Sequence, residues 1–150
     1  MASPFGWYNV FCSLGYDAVI DPDGDVIFTD GGARFRCLPE PGDPTYLHIV
    51  LPGVWTDTTH DPDLRARASA IVHTVNGTVK VAKLVLGSSG VYASVEALSS
   101  SHAVAARQIP ELLTMAKVAG QMFSEAFYKD QAADVNGDAD SDDPPEPWRG

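Results

Sequence analysis

Apolar residues recur at helical spacing in three stretches of this chain, and the first stretch is the shortest. One stripe of it holds four apolar side chains at i, i+3, i+4 and i+7: Trp7, Val10, Phe11 and Leu14. Ser3 suits the cap of such a helix, and Gly15 follows its last apolar position, where helices commonly end. The pattern predicts a short opening helix over residues 3–14.

The second helical stretch is the most clearly delimited. Asp61 is a favourable cap, Pro62 suits the first helical position, and Asp63 complements the helix dipole. Asn76-Gly77 is expected to end the helix. Five apolar residues form its predicted buried stripe: Leu64, Ala68, Ile71, Val72 and Val75.

The third helical stretch runs from about His102 to Tyr128. Pro110 lies inside it, and proline lacks the N–H that a helix interior requires. The sequence therefore predicts a short helix to Arg107 and a long one that starts near Ile109. The stripe of the long helix consists of Leu112, Leu113, Ala116, Ala119, Met122, Phe123 and Phe127.

Elsewhere the apolar positions alternate, which is typical of strands with one buried face. Four strands are predicted before the second helix, over residues 17–20, 25–29, 33–38 and 45–51. Asp30-Gly31 is a strong hairpin signal, and Pro52-Gly53 is expected to end the fourth strand. Two longer strands, 78–86 and 91–98, follow the second helix and are joined by Gly87-Ser88-Ser89-Gly90.

The predicted order of elements is α-β-β-β-β-α-β-β-α. Strands joined by short turns imply an antiparallel meander, whereas a parallel nucleotide-binding sheet would alternate strands with helices. We expect an α+β domain in which the helices cover one face of the sheet.

The strand residues that alternate away from the predicted core are the most informative polar set. They are Arg34, Arg36, Tyr46, His48, Lys83 (or Lys80), Tyr92 and Glu96. One interpretation is a solvated face of an antiparallel sheet. The other is a partner or dimer surface, because Tyr and Arg often anchor interfaces. Trp55, after the fourth strand, either extends this surface or fills the core.

The net charge of −10 is unevenly distributed. Residues 130–150 hold seven acids and one base, a charge of −6, which leaves −4 for the body. This segment lacks apolar periodicity, so we predict a domain over residues 1–129 and an acidic, disordered tail over residues 130–150. An acidic chain without a basic stripe argues against nucleic acid as a partner.

Nothing in the sequence indicates a membrane span or a signal peptide, so the expected location is the cytoplasm. The two cysteines, Cys12 and Cys37, have neither a C-x-x-C partner nor zinc-ligand spacing. In a reducing compartment both are expected to be free, partly buried thiols, although a disulfide between them remains an open alternative.

Candidate chemistry is sparse, and no catalytic residue, cofactor or metal is predicted. Two acidic segments, Asp21–Asp25 and Asp134–Asp138, resemble the start of a calcium loop. Neither has the required glycine at the sixth position and glutamate at the twelfth, so we interpret the first as a turn between strands. An acidic cluster around Asp57 and His60 is more simply a polar loop and a helix cap. Phosphate-binding and nucleophile-elbow motifs are absent from the sequence.

The chain resembles the YbjN-like family, whose fold is that of type III secretion chaperones. The likeness covers roughly residues 6–128. It lies in Leu14–Tyr16, the Asp-Gly hairpins, Thr45–Ile49 with Pro52 and Trp55, Val75–Gly77, Val79–Leu84, Val91–Ala97, and Phe123 with Phe127. The resemblance implies a compact, often dimeric α/β sandwich that binds protein segments, and it supplies no catalytic residues.

Three functions are compatible with these features of the sequence. The leading hypothesis is a non-enzymatic, cytoplasmic protein-binding or chaperone-like module. It would be a homodimer that takes a partner segment on the sheet face or at an edge strand. The second is a small-molecule-sensing regulatory domain with its ligand between the sheet and the last helix. The third is an enzyme that uses Cys37 or the loop of Asp57 and His60.

Overall fold

Over the residues that the structure describes, three helices and six strands follow one another in the predicted order. The structure, a computed structural model, describes residues 4–140, with side chains described over residues 6–129. The helices are α1 (Pro4–Ser13), α2 (Pro62–Thr78) and α3 (His102–Asp140). The strands are β1 (Ala18–Ile20), β2 (Val26–Asp30), β3 (Ala33–Cys37), β4 (Tyr46–Thr56), β5 (Lys83–Gly87) and β6 (Gly90–Leu98). The α+β class and the order α-β-β-β-β-α-β-β-α are confirmed.

The strands form one antiparallel sheet in the order β1-β2-β3-β4-β6-β5. The predicted hairpin joins β2 to β3, with Asp30 opposite Ala33 and Phe28 opposite Phe35. The last two strands depart from a simple meander, because β6 lies beside β4 and β5 takes the edge. Val91, Ala93 and Val95 of β6 are almost completely buried, which suits the central position.

All three helices pack on one face of the sheet, and the core lies between them. Phe28 of β2 stacks on Phe11 of α1 at 4.1 Å and on Phe35 of β3 at 5.5 Å between ring centroids. From α3, the fully buried side chains are Ala105, Ile109, Leu113, Ala116, Ala119, Phe123 and Phe127. Each buried phenyl ring contributes roughly 2 kcal/mol through burial alone. The predicted apolar stripe of the last helix therefore packs against the sheet.

Helix α2 begins as predicted but ends later. The Asp61 side chain caps it by accepting a hydrogen bond from the Asp63 N–H at 2.9 Å. The helix continues through Gly77 to Thr78, so the predicted end at Asn76-Gly77 was one or two residues early. Asn76 does not act as a terminator, because its carboxamide binds the backbone of Leu84 in β5.

Helix α3 is continuous, so the predicted break before Pro110 was wrong. Ile109 and Leu113 are both fully buried on the same stripe. Their packing holds the helix against the sheet on both sides of Pro110, which has no N–H to donate. The helix also continues past Tyr128 to Asp140. Residues 141–150 of the predicted acidic tail lie outside the described residues, and the boundary at residue 129 stays a prediction.

The sequence predicted an end of the fourth strand at Pro52-Gly53, but strand β4 continues through these residues to Thr56. Leu51 pairs with Ala93 and Trp55 pairs with Val91, so residues 52–54 form a bulge opposite Tyr92. Pro52 has no N–H to donate, and Gly53 has a φ of +70°, so these two residues leave the ladder without ending the strand. Trp55 is therefore a strand residue.

Strand β5 begins at Lys83, five residues later than predicted, because the chain turns sharply after α2. The Ala82 N–H donates to the Lys80 carbonyl at 2.8 Å, which closes a γ-turn around Val81. Val81 has a φ of +72°, a left-handed conformation that is costly for a β-branched residue. The turn thus carries backbone strain.

Replacing Val81 with glycine is expected to stabilise the protein by about 1 kcal/mol, because glycine adopts positive φ without steric cost. Val79, two residues earlier, has an extended backbone with a φ of −81°, so Val79→Gly serves as the matched control and should destabilise. Urea denaturation of both variants measures the difference. A V81G midpoint below that of the unsubstituted chain would show that the turn is not strained.

Candidate functional site

The side of the sheet that carries no helix is called the open face below. Alternation along the strands places seven of the predicted polar residues on it. They are Arg34, Arg36, Tyr46, His48, Lys83, Tyr92 and Glu96. Cross-strand register brings His48 directly opposite Glu96, and Arg36 and Val50 opposite one another. These seven residues therefore share one surface, and their role in binding stays a prediction.

Two of the predicted site residues are used elsewhere in the fold. Trp55 is 8% exposed, and its ring lies 5.2 Å from that of Phe127 in α3, so it fills the core on the helix side. Lys83 starts the edge strand, and its Nζ donates to the Asn76 carbonyl at the end of α2 at 3.2 Å. Trp55 also lines a groove on the open face, so its part in a partner surface stays a prediction. Lys80, the other lysine considered, is exposed in the turn before β5.

A groove of about 300 Å³ lies on the open face where the β4 bulge separates from β3. We call it the open-face groove, and its lining is Arg36, Leu38, His48, Val50, Pro52, Gly53, Trp55, Thr56, Ser89, Gly90, Val91 and Tyr92. Val50 is only 7% exposed although no helix covers it. The groove thus offers an apolar floor beneath a polar rim.

The sequence interpretation missed Val50 and Leu38. The signal was present in the run Ile49-Val50-Leu51, since alternation must turn the middle residue away from the face of its two neighbours.

Arg36 stands at one wall of the groove with its charge already compensated. Its Nη1 donates to Asp25 Oδ2 at 2.8 Å and to Asp21 Oδ2 at 2.9 Å. The hydrogen bond that Arg36 donates to Asp25, together with the nearby charge of Asp21, raises the pKa of the Arg36 guanidinium above its usual value. Asp21 also accepts from the N–H groups of Asp23 and Asp25, so the acidic segment is a turn between strands.

The polar residues near the other wall form a network of their own. His48 Nε2 lies 2.9 Å from Ser94 Oγ and 3.7 Å from Glu96 Oε1. The pKa of Tyr46 is raised to about 12, mainly by burial and to a smaller extent by a hydrogen bond with Glu96. These side chains satisfy one another, so the rim offers oriented hydrogen-bonding groups rather than a strong charge.

The cysteines fit structural positions. Both are free, with Cys12 exposed and Cys37 completely buried. Burial raises the pKa of the Cys37 thiol far above its ordinary value, and the nearby Asp25 charge adds to the effect. A buried, protonated thiol is a poor nucleophile.

Asp57 belongs to a clasp that joins β4, α2 and the β5–β6 hairpin. Its side chain is fully buried and accepts from Arg65 Nη1 at 2.6 Å and from the His60 N–H at 2.9 Å. Arg65 Nη2 donates further to the Gly87 carbonyl at 3.0 Å. The Arg65 hydrogen bond lowers the pKa of Asp57, and it outweighs burial, which acts in the opposite direction. We call this the Asp57–Arg65 clasp.

Metal-ligating side chains are not clustered in the part of the chain that the structure describes. No group of three or more His, Cys, Asp or Glu residues there is placed to hold a metal ion. Over the same residues, no helix is long and apolar enough to cross a membrane.

The edge strand β5 is closed by side chains from α2. Asn76 Nδ2 donates to the Leu84 carbonyl at 2.9 Å, and the Leu84 N–H donates to Asn76 Oδ1 at 2.7 Å. Arg65 occupies the Gly87 carbonyl farther along the strand. The Asn76 contacts use the outward backbone groups of Leu84, which an incoming strand would need.

Comparisons of this chain with protein-family models, with curated proteins and with solved structures found no match in any of the three.

Proposed function

We propose that this protein is a non-enzymatic, cytoplasmic protein-binding module that holds a partner segment in the open-face groove. The observation that carries the proposal is Val50, an apolar side chain at the floor of a groove of about 300 Å³ on a sheet face without helices. Tyr92 and His48 stand at the rim, and residues of this kind supply contact area and orientation at interfaces.

The state of the titratable groups supports a binding role over an enzymatic one. Arg36 is neutralised by two carboxylates, and the Cys37 thiol is buried. Asp57 is held by Arg65. Each group is therefore engaged in a structural contact rather than presented to a substrate. Membership of the YbjN-like family and a homodimeric state belong to the same proposal. Sedimentation of the full chain tests the dimer.

The alternative, a small-molecule-sensing domain, has one observation in its favour. A recess of about 360 Å³ lies between the β4 bulge and α3, lined by Leu51, Pro52, Gly53, Val54, Lys117, Gly120, Gln121 and Ser124. Its cation, Lys117, already donates to Asp30 Oδ2 at 2.7 Å. Next to it, the sheet–α3 interface is filled by fully buried side chains such as Phe123. We therefore prefer the open-face groove.

The proposal predicts that peptides selected on the full chain from a displayed random library bind through Val50. Val50→Asp should weaken the enriched peptides at least tenfold, because it puts a carboxylate on the apolar floor. Val19→Asp is the matched control, since Val19 is 56% exposed on the same face but lies on β1, outside the groove lining. Titration calorimetry gives the affinities, and circular dichroism shows that both variants are folded.

Two results would count against this function. The first is a library from which no peptide is reproducibly enriched. The second is a set of enriched peptides whose affinity falls equally in V50D and V19D, which would place binding elsewhere on the molecule.

A further inference from the structure

The second half of β4 extends beyond the end of β3. The register between these strands stops at Arg36 and Val50, and residues 51–56 have a ladder partner only in β6. Strand β3 begins at Ala33, directly after the hairpin from β2, so it does not run alongside Val54–Thr56. Lys117 of α3 binds Asp30 at the tip of that hairpin. We call Val54–Thr56 the β4 overhang.

Thr56 directs its backbone N–H and carbonyl away from β6. The Asp57 N–H donates to the Ser89 carbonyl at 2.9 Å, which makes this pair a hydrogen-bonded one. Because hydrogen-bonded and non-hydrogen-bonded pairs alternate in antiparallel ladders, the next pair, Thr56 with Gly90, is of the other kind. The Thr56 groups therefore face the side that β3 leaves uncovered, at the end of the open-face groove.

The other long strand at an edge of the sheet is closed. Asn76 occupies both outward backbone groups of Leu84 near the middle of β5. Edges that are blocked in this way do not accept a further strand. The β4 overhang carries no comparable side-chain cover among the described residues.

We propose that the partner binds as a short extended strand that adds to the β4 overhang, with a large apolar side chain in the adjoining open-face groove and a carboxylate beside Arg34. This inference rests on the proposed function and gives it a binding mode. Main-chain hydrogen bonds to Thr56 set the register, and the open-face groove selects the apolar side chain.

The surroundings of the overhang specify the chemistry of this strand. An added strand would continue the line of β3, so its end nearest β3 lies beside Arg34. Arg34 is exposed on the open face and makes no ion pair with any described residue. Side chains of a strand alternate between faces, and the recesses of about 300 Å³ and about 360 Å³ flank Pro52-Gly53 on opposite faces of the sheet. The occupant is therefore an extended segment of another protein that combines apolar and acidic residues.

The test separates the backbone of Thr56 from its side chain. Thr56→Pro removes the outward N–H and leaves the ladder to β6 intact, whereas Thr56→Ala removes the hydroxyl and methyl groups only. Peptides enriched on the full chain should contain an acidic residue close to a large apolar one. They should bind T56P about tenfold more weakly, the loss expected for about one hydrogen bond, and bind T56A as the unsubstituted chain. Hydrogen exchange at the Thr56 amide should slow on binding.

The possible outcomes are distinct. If V50D abolishes binding while T56P leaves it unchanged, the proposed function stands and strand addition is wrong. If T56A weakens binding as much as T56P, the side chain is responsible and strand addition is again wrong. Protection of the Thr56 amide in the free protein would mean that the edge is already occupied. If dilution removes this protection, a second copy of the chain occupies the edge. If removal of residues 141–150 abolishes it, the chain's own segment occupies the edge. Either result overturns the proposal.

Discussion

Gly90→Ala is expected to lower the free energy of unfolding by about 4 kcal/mol, a loss that leaves an ordinary domain barely folded. A methyl group at Gly90 would overlap the carbonyl oxygen of Trp55 and lie 3.0 Å from the Asp57 nitrogen. Gly90 also has a φ of +133°, which an alanine side chain rarely adopts. The clash falls on backbone atoms of β4, which cannot move without breaking the ladder to β6.

The control is Gly87→Ala in the same hairpin. A methyl group there would lie 3.6 Å from a ring carbon of Tyr92, which is an ordinary contact, so the loss should stay within about 1 kcal/mol. Urea denaturation, with far-ultraviolet circular dichroism as the signal, measures both variants. Equal midpoints for G90A and G87A would contradict the close approach of the hairpin to Trp55.

Arg65→Met is expected to lower the melting temperature by about 10 °C at pH 7. The substitution keeps the length of the side chain and removes the guanidinium that binds both the Asp57 carboxylate and the Gly87 carbonyl. The buried carboxylate then keeps its contacts with His60, whose N–H donates to Oδ1 at 2.9 Å and whose Nδ1 lies 3.6 Å from Oδ2. Arg107→Met, at an exposed position of α3, is the matched control and should change the melting temperature little.

The pH dependence identifies the cause of this loss. In the unsubstituted chain the Arg65 hydrogen bond lowers the pKa of Asp57, so this contribution to stability is present above about pH 4 and lost as the pH falls through the folded-state pKa. Without Arg65, the largest cause that lowers the Asp57 pKa is lost, so the carboxylate of the variant binds a proton at a higher pH than that of the unsubstituted chain. Calorimetric melting temperatures of the two proteins should therefore converge as the pH falls below about 4, where the contribution of the Arg65 hydrogen bond is lost. A constant difference would exclude the carboxylate as the source.

Local signals in the sequence were sufficient to predict a feature where one or two residues determine the local backbone conformation. Asp61 accepts from the Asp63 N–H and starts α2, and Asp30-Gly31 closes the hairpin between β2 and β3. Periodicity identified the stripe of α3, and alternation separated Phe35 and Cys37 from Arg34 and Arg36. These features depend on neighbours in the chain, so they can be read without knowledge of the fold.

Local signals failed where distant contacts outweighed them. Pro52-Gly53 is a normal end for a strand, yet the pairing of Trp55 with Val91 and its packing on Phe127 carry β4 onward. Pro110 is a normal end for a helix, yet burial of Ile109 and Leu113 keeps α3 continuous. In both cases apolar burial on each side of the breaker exceeds the cost of one lost backbone hydrogen bond.

The sequence by itself determined the class of the domain, the order of its elements and the set of polar residues on one sheet face. These follow from periodicity, because a strand or helix must bury its apolar side. The tertiary structure alone decided that β6 lies beside β4, that Asn76 closes the β5 edge, and that the β4 bulge opens a groove over Val50. Each of these depends on which segments meet in space, and the spacing of residues along a single chain does not record that.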